Sequence, residues 1–164
     1  MRPAPSALPP GYAIVAAASP GQLDTVRALF REYADWLGVD LCFQGFDEEL
    51  ATLPGKYARP DGRLLLAVDG ARAAGCIGLR RFDATTGEVK RLYVRPAARG
   101  HGLGGALALQ VIEAAREIGY RRLVLDTLEP MAEARSLYRS RGFREIPAYY
   151  ANPLPGVIYM ELRL

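Results

Sequence analysis

The chain has 164 residues, of which 50% are hydrophobic and 24% charged, a composition typical of one globular domain spanning residues 1–164. Its formal net charge of +3 is too small to indicate a nucleic-acid-binding protein, and no apolar run reaches the ~18 residues of a membrane-spanning helix. With two cysteines and one histidine, neither a disulfide framework nor a zinc site is expected. We therefore expect a cytoplasmic protein without a metal, a nucleic acid or a membrane as partner.

The first half of the chain predicts two helices and then a series of hairpin strands. A loose Pro-rich leader occupies residues 1–11. Ser19 is placed to cap the first helix and Gly38 to end it, because these residue types are preferred at those two positions. The predicted elements are a strand at 12–18, helices at 20–37 and 46–53, and strands at 63–68, 73–82 and 88–94.

The second half of the chain alternates between helices and strands. The predicted elements are a helix at 103–118, a strand at 122–125, a helix at 130–141, a strand beginning at 143 and a last strand at 157–162. Successive hairpins give antiparallel pairs, whereas the strand–helix–strand of residues 88–127 implies a parallel pair with a right-handed crossover. The sequence thus predicts an α/β protein whose mixed sheet carries helices on its faces.

A glycine-rich loop lies between the strand at 88–94 and the long helix that follows. Its sequence is Arg99-Gly100-His101-Gly102-Leu103-Gly104-Gly105. A helix N-terminus offers unpaired N–H donors and a partial positive charge, and glycine lets an anion approach the backbone. The arginine adds a full positive charge, so this loop favours a pyrophosphate as its ligand.

Two other phosphate-binding motifs fit this loop less well. The Walker loop needs a Gly-Lys-Ser/Thr ending, which residues 104–106 do not supply. Gly100, Gly102 and Gly105 satisfy the dinucleotide-binding pattern Gly-x-Gly-x-x-Gly, which keeps an NAD(P)-dependent oxidoreductase as an alternative. That motif follows a strand buried on both faces, however, and the strand at 88–94 contains charged residues.

Two motifs together resemble the GCN5-related N-acetyltransferases, the GNAT family. The loop at 99–104 is similar to the family's Arg/Gln-x-x-Gly-x-Gly/Ala motif, and residues 134–143 resemble its Ala-x-x-Leu-Tyr-x-x-x-Gly-Phe helix end. Further similarity, at 92–96 to the family and at 88–94, 125–127 and 149–153 to a bacterial subgroup, supports the resemblance. It implies a mixed, mostly antiparallel sheet with helices on both faces and a splayed central parallel strand pair.

The resemblance also implies the reaction and the cofactor site. An acetyl group would pass from acetyl-CoA to a primary amine. The backbone of Leu92 and Val94 should bond the pantetheine arm, and an amide at Leu92 or Tyr93 should polarise the thioester carbonyl. The implied cofactor-binding residues are Leu92, Tyr93, Val94, Arg99, Gly100, His101, Gly102, Leu103, Gly104, Gly105 and Tyr138.

Two side chains are candidates for proton transfer. A primary amine with a pKa near ~10.4 is mostly protonated at neutral pH, so a base must remove a proton before the amine attacks. Glu88 is the candidate base, the alternative being a surface carboxylate or an ion pair with an arginine. Tyr138 resembles the family's acid, which protonates the departing thiolate, and the alternative is a core tyrosine on an apolar helix face.

The acceptor is expected to be a small-molecule or peptide amine that attacks directly in a ternary complex. Residues 90–101 carry basic side chains and no acid, whereas residues 32–49 carry acids and no base. In the family the region of 32–49 and the loop with Tyr149, Tyr150 and Asn152 border the acceptor groove, which favours a cationic acceptor. A non-catalytic acyl-CoA-binding or sensing domain is the alternative function, and a homodimer is an assembly that the resemblance allows.

Overall fold

The computed structural model describes residues 8–164, and residues 1–7 of the predicted leader lie outside the described residues. Its helices and strands follow the predicted order. They are β1 (Tyr12–Ala16), α1 (Pro20–Leu37), α2 (Phe46–Ala51), β2 (Arg63–Asp69), β3 (Arg72–Arg81), β4 (Thr86–Val94), α3 (Leu103–Ile118), β5 (Arg122–Leu128), α4 (Ala132–Ser140), β6 (Arg144–Ile146) and β7 (Val157–Arg163).

One seven-stranded sheet runs through the molecule in the order β1-β2-β3-β4-β5-β7-β6. Its neighbouring strands are antiparallel, except that β4 and β5 are parallel. The α3 helix makes the crossover that a parallel pair requires. The predicted α/β class, with a mostly antiparallel sheet and one central parallel pair, is therefore confirmed.

Helices cover both faces of the sheet, and each face has its own apolar core. On one face α3 contributes Leu107 and Val111 to a cluster that includes Leu123 of β5. On the other face α1 contributes Leu29 and Phe30. All five side chains have no solvent exposure, and burying a residue of this kind stabilises the fold by roughly 1.5–3 kcal/mol relative to leaving it exposed.

The first helix begins and ends at the residues that the sequence predicts. Ser19 Oγ accepts a hydrogen bond from Gln22 N at 3.2 Å, and Gln22 Oε1 accepts one from Ser19 N at 3.0 Å. Gly38 closes the helix in the left-handed conformation, with φ of 66°. Because α1 is fixed at both ends, it holds the aromatic rings of Tyr33 and Trp36 against the end of β4.

Among the differences from the predicted boundaries, two concern the strands around the parallel pair. β4 begins at Thr86 rather than at 88, because Gly87 pairs with both neighbouring strands. β5 continues to Leu128 rather than ending at 125, because β7 pairs with it along its whole length. The longer β5 therefore carries Asp126 and Thr127 within the strand instead of after it.

The two parallel strands separate halfway along β4. They pair only from Thr86 to Glu88 of β4, and beyond Glu88 the ladder ends. Between Lys90 and Tyr93, β4 contains one residue more than β3 does opposite, and Arg91 in this bulge has a φ of 62°. A bulge bends its strand, whereas β5 stays paired with β7. We call the resulting opening, between residues 90–94 of β4 and the end of β5, the fork; it is the predicted splay.

Candidate active site

A cavity of about 660 Å³ occupies the fork and continues to the N-terminus of α3. Its walls come from β4, the glycine-rich loop, β5, α4, the end of α1 and the loop before β7. The predicted cofactor-binding residues that line it are Leu92, Tyr93, Val94, Arg99, Gly100, Gly102, Leu103, Gly104, Gly105 and Tyr138. His101 does not line the cavity. Its ring is exposed and lies 6.0 Å from the ring of Tyr12.

The glycine-rich loop presents the first turn of α3 to the cavity. Gly100 and Gly102 have φ values of 83° and 75°, and a Cβ at either position would meet nothing within 4 Å. Space is thus left open above the helix N-terminus, where Gly102 makes no side-chain cap. A Cβ at Gly104 would lie 3.1 Å from Leu137 Cδ1, so this glycine also allows α3 to approach α4. The N–H groups of this turn are available to an anion.

Arg99 connects the loop to the strand. Its Nε donates to the carbonyl oxygen of Val94 at 2.9 Å. Its guanidinium carbon also lies 5.0 Å from the ring centroid of Trp36 and 5.9 Å from that of Tyr93, within the range of a cation–π contact. The arginine is therefore held between α1 and β4, beside the position that favours an anion.

Tyr138 lies on α4 with its side chain in the cavity wall. It is 7% exposed, and its ring lies 5.6 Å from that of Phe143. Burial raises the pKa of its phenol, so the hydroxyl remains protonated throughout the neutral range. A neutral hydroxyl lining the cavity can donate a hydrogen bond or a proton to a group bound there.

Glu88 lies just before the fork and is almost fully buried. One carboxylate oxygen accepts a hydrogen bond from Arg80 Nε at 2.8 Å, and the other accepts one from the Tyr149 hydroxyl at 2.6 Å. Glu88 is not among the residues that line the cavity. Its surroundings match the alternative of an ion pair with an arginine, and its assignment as the base stays a prediction.

A second buried pair, which the sequence did not suggest, stands inside the fork. Lys90 Nζ lies 3.4 Å from Asp126 Oδ1, and the two side chains are 4% and 10% exposed. The other carboxylate oxygen of Asp126 accepts bonds from the Tyr150 hydroxyl and, at 2.9 Å, from Asn152 Nδ2. Alternation along a strand put Lys90 and Glu88 on one face, but no sequence signal paired Lys90 with a residue 36 positions away.

Two ion pairs connect the acidic and basic stretches of the sequence. Arg95 forms a two-point ion pair with Glu32 of α1, with N–O distances of 2.8 and 3.0 Å. Arg91 does the same with Glu49 of α2, at 3.0 and 3.1 Å. These pairs join α1 and α2 to β4 and the residue after it, so two of the six acids in 32–49 are compensated rather than free to attract a cation.

In the part of the chain that the structure describes, no helix combines the length and apolar character needed to cross a membrane. Residues 8–164 also contain no group of three or more His, Cys, Asp or Glu side chains arranged to hold a metal ion.

Known proteins share both the sequence pattern and the fold. The family described as "Acetyltransferase (GNAT) family" matches residues 26–143, which include the loop, the bulge and Tyr138. An uncharacterised N-acetyltransferase of Schizosaccharomyces pombe is 41% identical over 158 residues, covering 95% of this chain and 97% of that protein.

Two solved structures have the same fold. An acetyltransferase of Streptococcus agalactiae superposes with a TM-score of 0.78 at 22% identity, over 94% of this chain and 99% of that one. The PaiA N-acetyltransferase of Thermoplasma acidophilum, solved in complex with coenzyme A, gives 0.73 at 20% identity, over 93% and 99%. The family match excludes the alternative of an NAD(P)-dependent oxidoreductase and confirms the predicted enzyme class, an acetyl-CoA-dependent acetyltransferase. The chain, with its forked sheet and open helix N-terminus, belongs to the GNAT family of acetyl-CoA-dependent acetyltransferases.

Proposed function

We propose that acetyl-CoA lies along the cavity of the fork and that its acetyl group passes directly to a primary amine within a ternary complex. The observation that carries this proposal is the continuity of the cavity. One space connects the open N-terminus of α3, the hydroxyl-bearing ring of Tyr138 and the carboxylate of Asp126. A donor with a pyrophosphate at one end and a thioester at the other fits that sequence of groups.

Backbone groups of the protein bind the acetyl donor, at what we call the donor end of the cavity. The N–H groups of the first turn of α3 take the pyrophosphate, and the edge of β4 that faces the fork bonds the pantetheine arm at Leu92 and Val94. In the structure the Val94 carbonyl oxygen accepts a hydrogen bond from Arg99 Nε at 2.9 Å. We infer that Arg99 turns from this carbonyl toward the phosphates when acetyl-CoA binds, which frees the carbonyl for the pantetheine amide.

The chemical step needs an electrophile, an acid and a base. The amide of Leu92 or Tyr93, at the bulge, polarises the thioester carbonyl and stabilises the oxyanion that forms. The amine nitrogen then bonds to the carbonyl carbon, the C–S bond breaks, and Tyr138 gives its proton to the departing thiolate. Glu88 is the base predicted from the sequence; since Arg80 and Tyr149 hold its carboxylate, the proton would reach it through water or through Tyr149.

The acceptor is proposed to be a small-molecule or peptide amine that enters beside α1 and the loop before β7. Tyr33 and Trp36 of α1 and Asn152 of the loop line that side of the cavity. We also propose a cytoplasmic location, a bacterial source and a homodimer. The alternative function, acyl-CoA sensing without turnover, would need the donor end alone.

Acetyl-CoA binding by calorimetry and CoA release with 1,4-diaminobutane, benzylamine and alanine amide test the proposal. We expect binding, amine-dependent release of CoA above the rate without amine, and intersecting double-reciprocal plots for the two substrates. If acetyl-CoA binds but none of the three amines increases the release of CoA, the sensing alternative is favoured. Parallel plots would exclude direct attack in a ternary complex.

A further inference from the structure

Lys90 and Asp126 face each other at the point where β4 and β5 separate. The last paired residues of the two strands are Glu88 and Val124. Lys90 and Asp126 come two positions later, so they are the first pair on the same face beyond the ladder. Both side chains line the cavity, and their Nζ and Oδ1 atoms are 3.4 Å apart. An ion pair thus stands at the apex of the fork, on the acceptor side of the proposed thioester position.

We propose that this pair is the subsite for the acceptor amine: Asp126 binds the incoming ammonium group and Lys90 takes its proton. The proposal rests on the acetyltransfer proposed above, puts Lys90 in place of Glu88 as the base, and assigns a cationic primary amine as acceptor. It also moves the attracting charge from the stretch 32–49, where Glu32 and Glu49 are compensated, to Asp126.

The protons and bonds balance as follows. Neutral Lys90 removes one proton from the ammonium group, and the freed lone pair forms the C–N bond to the thioester carbonyl carbon. The C–S bond breaks as the tetrahedral intermediate collapses, and the thiolate takes the Tyr138 proton. The second amine proton, lost as the amide forms, restores Tyr138. Lys90 finally releases its proton to solvent, so each turnover yields one amide, one thiol and one proton.

The hydrogen bonds of Asp126 leave it able to accept one more donor. Oδ2 receives the Tyr150 hydroxyl and Asn152 Nδ2, whereas Oδ1 receives Lys90 Nζ among the described residues. A carboxylate offers about four acceptor positions, two on each oxygen. The remaining position on Oδ1 adjoins Lys90, so an ammonium group bound there is next to the nitrogen that takes its proton.

The charges around the pair decide which of its members titrates first. Burial lowers the pKa of Lys90, against the charges of Asp126 and Glu88, which raise it. Burial alone would raise the pKa of Asp126, but the Lys90 charge and the bonds from Tyr150 and Asn152 hold it below its ordinary value. As pH rises, Lys90 therefore becomes neutral while Asp126 stays ionised.

The groups that face Lys90 come from several elements. The charges that act on Lys90 directly are those of Asp126 on β5, Glu88 and Arg91 on β4, and Arg80 on β3. Tyr149 and Tyr150 of the loop before β7 donate to Glu88 and Asp126, Glu49 of α2 pairs with Arg91, and Tyr33 of α1 lines the same cavity. The two arginines disfavour a charged lysine, and the carboxylates favour it. This balance is what the variants below alter.

The composition of the chain makes the lysine at this position informative. Of the 21 basic Lys and Arg side chains only Lys56 and Lys90 are lysines. Arginine cannot lose its proton in a protein, whereas a buried lysine can. A purely structural partner for Asp126 could be an arginine, as at the other ion pairs of β4, but a proton acceptor could not.

The protonation of Lys90 can be measured directly. With ¹³Cε-labelled lysine, the protein gives two side-chain signals, which the K56R variant assigns. We expect the Lys90 signal to titrate at lower pH than that of exposed Lys56, and 1,4-diaminobutane to shift the Lys90 signal only. Titration of Lys90 at or above the midpoint of Lys56 would overturn the proposal, and this measurement needs no turnover.

Kinetics then separate a catalytic lysine from a structural one. K90R keeps the positive charge beside Asp126 but cannot take a proton, so kcat/KM for the best of the three amines above should fall about 10²-fold or more. K56R, the matched control, should stay within about twofold. K90M, which removes the charge, should fall as far as K90R. Near-parent activity in K90R would show that Lys90 only pairs with Asp126.

Two further variants test the direction of the pH effect. E88Q removes a negative charge that raises the pKa of Lys90, so the acidic limb of the kcat/KM profile should move to lower pH. D126N should raise KM for the amine. If E88Q instead abolishes activity at every pH, Glu88 is the base and the proposal fails. All variants should bind acetyl-CoA like the parent; loss of binding in the parent itself would count against the proposed function rather than against this subsite.

Discussion

The two ends of the cavity are built from different parts of the polypeptide. The proposed donor end consists of main chain: the first turn of α3, the glycines before it and the edge of β4 that faces the fork. The proposed acceptor end consists of side chains from four separate segments, among them Tyr33 of α1, Lys90 of β4, Asp126 of β5 and Asn152 of the loop before β7.

This difference explains what each end can recognise. A main-chain site depends on backbone conformation and on the absence of side chains, so one short segment can specify it. A side-chain site depends on which residues the fold brings together, and a single change there alters its charge or hydrogen bonding. Donor binding should therefore fail when bulk or charge enters the loop, and acceptor use should fail when one side chain changes.

The largest effect is expected from a charge at the donor end. Gly102→Glu places a carboxylate where we propose that the pyrophosphate binds, and like charges brought together cost several kcal/mol. We expect acetyl-CoA affinity, measured by calorimetry, to fall about 10³-fold. Gly102→Gln is the matched control, because it has the same size and the same strain at a φ of 75°. If both variants bind acetyl-CoA more weakly than the parent and to the same extent, bulk rather than charge causes the loss of affinity. If both bind like the parent, the loop is not the pyrophosphate site.

A smaller, purely kinetic effect is expected where the two ends meet. Tyr138→Phe should lower kcat about 10²-fold, since general acid catalysis contributes roughly 10²–10⁴, and should leave acetyl-CoA affinity unchanged. Tyr120→Phe is the control, because its hydroxyl donates to the Asp61 carbonyl at 2.6 Å, away from the cavity. That variant should lose stability without losing kcat. A parent-like kcat in Tyr138→Phe, with chemistry rate-limiting, would make Tyr138 a core residue.

The sequence predicted a glycine-rich loop at the N-terminus of α3, and this part of the proposed donor end could be found because its determinants are local. Residues 99–105 sit next to one another in the chain, and all but His101 line the cavity. The splay between β4 and β5 was implied only through the resemblance. No pattern within 88–94 shows that Arg91 adopts a positive φ, because that depends on how β4 pairs with β3.

The acceptor end could not be predicted in the same way. The pairing of Lys90 with Asp126 requires the register of β4 and β5 and the position at which their ladder stops. In the sequence the charges at 32–49 and at 90–101 form two separate stretches, whereas the fold joins Glu32 to Arg95 and Glu49 to Arg91. Charge along a sequence indicates what a region attracts only after its internal ion pairs are known.

The smallest effect is expected from the most conspicuous charge of the loop. Arg99→Ala removes a cation beside the pyrophosphate, and a hydrogen bond to a charged group contributes roughly 1.5–3 kcal/mol. Arg99 must first give up its bond to the Val94 carbonyl and its contact with Trp36, however, and the pantetheine amide gains the carbonyl that Arg99 leaves. These exchanges offset one another, so we expect acetyl-CoA affinity to fall less than about tenfold, and by less at high salt. Arg121→Ala is the control, an exposed arginine next to the first residue of β5, at the end opposite the fork. A loss in Arg99→Ala as large as that in Gly102→Glu would mean that the side-chain charge, rather than the main chain, holds the phosphates.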